Sequence, residues 1–494
     1  MPVQLIPELF DQIFAEVDEY KDLSNLSLVC GAFKALIIPN HLHYRTITTS
    51  SSIPRVYAHL AQRPHLAERI RTFHFTSSMP RCPTKLIDSP NLEEAGHVED
   101  PQTTAQNLAK AITSMTRLES FWWYRDSDWV DPIVESAYEP LIFRALSTRM
   151  SLVDLCLESN SGSLYTHGTA KSQSDPADWV WQLPNLKTLV LEGINWESPP
   201  NTHMLRFLQS APAIEVLEIP GNTFIDDHNI SLPHLRRLEL SSSPPEVGAN
   251  ICQFLQNHPT IEDLTWYSGP LFLSLGVGFL PNLKSLKGIQ HVINAMEEHY
   301  QRSESRSQWK LELIQVGSRV KDLNALQCID RTTLRKFSSD VAEPVGQLLE
   351  MGRLFLNLVD VQVSIYMDET GPTMISPPPL KAWLRLLPQF QNLETFFDKG
   401  PYKVIPADSE ELRDTILQLA ALCPRLNKIK SFLCESGGIY TTIHFKCAPV
   451  PLEVSGEDGR WASGGFFSYE ITRLDKLEVL HTSTVEKISR DHSG

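Results

Sequence analysis

One short phrase recurs along most of this sequence and limits what the chain can fold into. An aliphatic residue, two others, an aliphatic, one other and a further aliphatic follow a proline. The clearest copies are Pro184-Asn185-Leu186-Lys187-Thr188-Leu189-Val190-Leu191, Pro212-Ala213-Ile214-Glu215-Val216-Leu217-Glu218-Ile219 and Pro233-His234-Leu235-Arg236-Arg237-Leu238-Glu239-Leu240. Two more stand at Pro259-Thr260-Ile261-Glu262-Asp263-Leu264-Thr265-Trp266 and Pro281-Asn282-Leu283-Lys284-Ser285-Leu286. Their first aliphatics, Leu186, Ile214, Leu235, Ile261 and Leu283, are separated by steps of 28, 21, 26 and 22 residues. The alternating end of each phrase reads as a strand, and the proline ahead of it as the stop of a helix. A unit of that length cannot bury its apolar side alone, so copies must stack and share one core.

Fainter copies extend the series on both sides, at residues 69–75, 118–123 and 152–157, and again at 334–337, 358–363, 393–396 and 426–429. Helical stretches such as Met204 to Gln209 and Ile251 to Gln256 lie between copies. The expected fold class is therefore α/β, an irregular solenoid over residues 48–447 with parallel strands on one face and helices on the other. Residues 76–102, 160–178 and 369–379 are rich in Pro, Ser, Gly or acids and read as long loops. Residues 448–494 read as a C-terminal loop and cap, in which Phe466 to Leu480 closes the end of the array. An ordinary doubly wound α/β domain is the competing architecture. It is disfavoured because neither G-x-G-x-x-G nor G-x-x-x-x-G-K-[ST] occurs.

Charge narrows the partners. Lys and Arg total 44 against 59 Asp and Glu, a net charge of −15. Such a chain is a poor ligand for phosphate backbones, and no Lys/Arg run suggests a local exception, so nucleic acid is not expected. No apolar window reaches the ~18 residues of a membrane helix, and the first residues lack a basic, apolar leader. The eight cysteines form no CxxC pair and have apolar flanks, as in Leu155-Cys156-Leu157. A cytoplasmic or nuclear protein without membrane contact is expected.

The first forty residues have another texture. Leu5, Leu9, Ile13, Phe14 and Val17 recur at helical spacing, and Asp22 precedes a second stripe of Leu23, Leu26, Val29, Cys30 and Phe33. Helices this short need something to pack on, either the rest of the chain or a partner. The series Leu5-Ile6-Pro7-Glu8-Leu9, Ile13-Phe14, Asp22-Leu23, Leu26-Ser27-Leu28-Val29-Cys30 and Phe33 resembles the F-box, L-P-x-E-L…I-F…D-L…L-S-x-V-C-[RK]-x-[WF]. Ile6 and Gly31 depart from that pattern. Residues 1–47 are taken as this unit and its tail, and the remainder looks like the divergent leucine-rich-repeat arrays that follow F-boxes in fungi. The resemblance implies binding to a Skp1-type adaptor, and through it a cullin, by Leu5, Pro7, Leu9, Ile13, Leu23, Leu26, Val29, Cys30 and Phe33. A helical cap on the array is the plainer alternative.

Catalytic patterns are missing. His41-x-His43 lacks a third ligand, the acids Asp126, Asp128 and Asp131 lack the glycine and glutamate of a calcium loop, and no G-x-S-x-G or H-E-x-x-H occurs. No cofactor, metal or enzymatic activity is expected. The expected function is that of the substrate-recognition subunit of a Skp1–cullin–F-box ubiquitin ligase, with an unknown target protein. The alternative is a scaffold that never joins a ligase; a hydrolase on a βα frame ranks below both. Target-binding candidates are the strand positions that alternate with buried aliphatics, Thr188, Val190, Val216, Glu218, Arg237, Glu239, Asp263 and Thr265. The aromatic pair Trp122 and Tyr124 joins them.

Overall fold

A five-residue strand with aliphatics at alternate positions buries one side and leaves the other outside, and here that element is laid down again and again in register. The computed structural model describes residues 7–17, 20–42, 44–50, 53–76, 100–124, 138–158, 183–192, 207–220, 230–241, 248–266, 279–288, 290–302, 308–319, 326–341, 344–365, 380–402, 410, 414–415, 418–419, 422–435, 439–448, 466–473 and 478–485. The chain divides into two units, Met1–Ile261 and Glu262–Gly494.

The first unit opens with three short helices, α1 (Pro7–Ala15), α2 (Tyr20–Ser27) and α3 (Gly31–Ile37), and a π-helical turn at Ile38–Leu42. Seven parallel strands follow in chain order: β1 (Thr46–Ser50), β2 (Thr72–Thr76), β3 (Ser120–Tyr124), β4 (Asp154–Glu158), β5 (Thr188–Glu192), β6 (Val216–Pro220) and β7 (Arg237–Ser241). Helices α4 (Pro54–Gln62), α5 (Pro64–Ala67), α6 (Pro101–Ser114), α7 (Tyr138–Leu146) and α8 (Gly248–Asn257) belong to the same unit. Register stacks Phe73, Phe121, Leu155, Leu189, Leu217 and Leu238 in one inward row, all buried. The ring of Phe73 stacks on Phe121 at 5.9 Å, and Trp123 meets Phe143 of α7 at 6.1 Å, so strands and helices share one core.

The second unit repeats the scheme. Strands β8 (Asp263–Trp266), β9 (Ser285–Gly288), β10 (Leu313–Arg319), β11 (Lys336–Val341), β12 (Asp360–Ile365), β13 (Thr395–Tyr402) and β14 (Lys428–Glu435) pair in parallel, with helices α9 (Gln290–Arg302), α10 (Pro344–Leu354) and α11 (Leu380–Leu386) between them. Gly288 lies level with Trp266, and a Cβ there would stand 2.6 Å from the Trp266 carbonyl oxygen, so this step of the stack requires glycine. Strands β15 (Ile439–Ala448), β16 (Phe466–Arg473) and β17 (Glu478–Val485) then add in antiparallel fashion.

Backbone pairing between copies follows one rule. The carbonyl just before each strand accepts two successive N–H groups from the next copy. Arg71 and Thr72 donate to Arg45, Glu119 and Ser120 to Arg71, and Val153 and Asp154 to Glu119. The same bifurcation continues at Val153, Lys187 and Glu215, and in the second unit at Glu262, Lys284, Glu312, Arg335, Val359 and Glu394. Polar residues ahead of the leucine do the remaining stitching: Asn185 donates to the Met150 carbonyl at 2.8 Å, Asn357 to Thr332 at 2.9 Å and Asn392 to Leu356 at 3.0 Å. This gives the asparagine ahead of the leucine, where it occurs, a role of its own: its amide satisfies a carbonyl of the copy before.

The α/β class and the parallel strands agree with the sequence, while several boundaries move. A further copy at Leu311-Glu312-Leu313-Ile314-Gln315-Val316, outside the expected series, forms β10. Strand β1 straddles the expected boundary at residue 47. Within the loop expected at 76–102, Thr76 ends β2 and Pro101 begins α6, whose first turn is capped by Asp100 accepting from the Thr103 N–H at 3.2 Å. Antiparallel pairing sets in at Ile439, inside the range read as array. The expected loops at 160–178 and 369–379, and Asp126, Asp128 and Asp131, lie outside the described residues.

Candidate functional site

The opening helices divide their apolar residues between an inside and an outside. Phe14, Leu23 and Ile37 are buried together, with Phe10, Val17, Leu26, Phe33, Leu36 and Leu42 packed around them. Aromatic rings seal this small core, with Phe10 and Phe14 at 4.9 and 5.0 Å from Phe33. The imidazole Nε2 of His41 meets Asp11 Oδ1 at 2.8 Å and pins the π-helical turn to α1, which accounts for that histidine without a metal.

Outside, α1 presents Leu9 and Ile13, which are 41% and 51% exposed, and the turn between α2 and α3 presents Leu28 and Val29 at 82% and 67%. Such exposure of four large aliphatics costs roughly 1.5–3 kcal/mol per side chain relative to full burial. Cys30 is also exposed, and its Sγ accepts from the Phe33 N–H at 3.4 Å as the cap of α3.

Several expected adaptor contacts change role. Leu23 is 0% exposed and holds the three helices together, so it cannot touch a partner. Leu26 and Phe33 are half-buried against the same core. Helical counting places them with Val29, but α2 ends at Ser27, and past that point successive residues no longer follow one face. The same break explains why Leu28, absent from the expected set, is the more exposed neighbour of Val29. Leu5 lies outside the described residues, and of Pro7 only the backbone, at the start of α1, is described. Asp22, ahead of the second apolar stripe, falls within the first turn of α2.

A second candidate surface is the outward row of the first unit. Register places Thr48, His74, Trp122, Cys156, Val190, Glu218 and Glu239 side by side. Thr188, Val216 and Arg237 stand in the adjoining row with Ser120. Trp122 and Tyr124 are half-buried, 5.6 Å apart, and His74 lies 5.5 Å from Trp122. The Trp122 indole N–H donates to Ser120 Oγ at 2.7 Å. Burial pushes the His74 imidazole below its ordinary value. Arg237 Nη2 reaches Glu218 at 2.9 Å and Glu239 at 3.4 Å, so these three residues form one network.

Asp263 and Thr265 belong to the second unit. Asp263 is exposed, but Thr265 is only 4% exposed and offers no outward contact. In register it stands level with Lys287.

Burial pushes the Cys252 and Cys423 thiols up to about 11, far from thiolate character at neutral pH. Among the described residues no group of three His, Cys, Asp or Glu could hold a metal ion, and no helix is long and apolar enough to cross a membrane. The chain matches no protein-family model and no curated protein.

Proposed function

We propose that this chain is a substrate-recognition subunit of a Skp1–cullin–F-box ubiquitin ligase, with residues 7–42 as the F-box and the strand array as a leucine-rich-repeat target receptor. One observation carries the reading. The opening helices close a core of their own around Phe14, Leu23 and Ile37, yet still present Leu9, Ile13, Leu28 and Val29 to the outside. Burial of such anchors against another protein is the usual source of binding energy in a helical docking surface. The array then presents its outward row to a client and tethers it near the conjugating enzyme, raising local concentration while other subunits do the chemistry.

The test is binding of purified chain to a Skp1-type adaptor. Capture is expected for the wild type and a loss of at least ~100-fold for Ile13→Asp combined with Val29→Asp. Leu26→Asp is a poor probe, because it would disturb the internal core as well. Absence of binding by the folded wild type overturns the ligase reading. Binding to adaptor without recruitment of cullin favours the scaffold reading.

A further inference from the structure

We propose that a groove between the opening helices and the first strands binds a small anion carrying two adjacent phosphoryl groups. It goes beyond the ligase reading and does not rest on it.

The position just before each strand, whose carbonyl stitches neighbouring copies, also carries a ladder of side chains. In the first unit Lys187 and Glu215 are joined at 3.0 Å and Arg71 and Glu119 at 3.3 Å; in the second, Lys284 and Glu262 meet at 2.6 Å. The series Lys187, Glu215, Arg236 and the series Glu262, Lys284, Glu312, Arg335 alternate in sign. Alternation is what side-by-side charges in register require, since like charges there repel. Uncharged Val153 and Val359 interrupt the ladder, but among the described residues like charges succeed each other at one step, where Arg45 is followed by Arg71. Arg69 and Arg117, each two residues ahead of the ladder position in its own copy, lie near this step.

These four arginines line a single groove of about 390 Å³, together with His41 and His65. Among the described residues its lining is charged or polar, so it suits a polar ligand of small-molecule size. Two acids are present as well, Asp11, which holds His41, and Glu68. Arg71 is steadied by Glu119, and Arg69 Nη1 donates to the Pro39 carbonyl at 3.0 Å. A guanidinium has five N–H donors, so it can keep such a contact and still grip a phosphoryl oxygen. Arg45 and Arg71 directly precede adjacent strands, whose backbones lie about 4.8 Å apart, which suits neighbouring phosphoryl groups flanked by paired forks. The chain's net charge of −15 repels extended polyanions and leaves this groove to a small one.

Isothermal titration of the full chain with pyrophosphate, orthophosphate and sulfate at fixed ionic strength tests the assignment. Pyrophosphate is expected to bind at least ~10-fold more tightly than orthophosphate or sulfate, and Arg45→Gln or Arg117→Gln to weaken it by at least ~10-fold. Lys187→Gln, at the same ladder position elsewhere, should leave binding unchanged. Glu68→Gln removes an acid from the lining and should tighten binding, a gain that misfolding cannot mimic. Pyrophosphate binding no tighter than sulfate, or Glu68→Gln without effect, overturns the proposal. Preference for a phosphoserine peptide over pyrophosphate also overturns it, in favour of a phosphorylated protein segment.

Discussion

The opening helices and the strand array of the first unit solve the same burial problem differently. In the array, every second strand residue from Phe73 to Leu238 disappears into a core continued by the copy next door. In the helices, burial stops at a small cluster around Phe14, and aliphatics from α1 and the α2–α3 turn remain outside. A stacked array always has another copy to bury against, whereas three short helices run out of neighbours. Apolar surface left over at a unit that cannot repeat is therefore informative, while the same residues inside a repeat are not.

This contrast can be broken most decisively at Trp123. Its truncation to alanine removes a large side chain that is buried between β2, α7 and the rest of the stack, and should cost about 3–5 kcal/mol, read as a lower urea midpoint. Leu23→Ala should cost about 2–4 kcal/mol within the helices alone. Hydrogen exchange would then show lost protection in residues 7–42 with the strands still protected; loss throughout would mean that the two regions share one core.

His258 gives an intermediate effect within the array. Its Nε2 accepts the Leu232 N–H at 3.0 Å while Nδ1–H donates to the Phe254 carbonyl at 2.7 Å, a pairing that demands the neutral ring. Burial holds its pKa below the ordinary 6.5. The unfolded chain therefore takes up a proton first as pH falls. The stabilisation is complete above about 6.5 and fades as pH drops below that toward the folded value. His258→Ala should cost about 1–3 kcal/mol at neutral pH, by orphaning the Leu232 donor, and should flatten the acid slope of the urea midpoint. At the smallest end, Ile13→Asp with Val29→Asp should change stability by no more than about 0.5 kcal/mol while removing adaptor binding. Marked unfolding by that pair would sink the idea that these side chains face outward.

The amino-acid order alone determined where most strands lie and which of their residues point inward. Alternation has a period of two, and a proline two residues ahead of the first aliphatic marks the start of the clearest copies. Strand β10 lies outside the expected series, although Leu311, Ile314 and Val316 keep the spacing. Tertiary packing decided the rest. It made Leu23 a core residue and Leu28 a surface one, since helix ends and crossings, not helical counting, set which side meets a neighbour. It also gathered Arg45, Arg69, Arg71 and Arg117 into one groove, although no run of basic residues joins them along the chain. Stacking in register converts distant positions into neighbours, and a linear reading has no term for that distance.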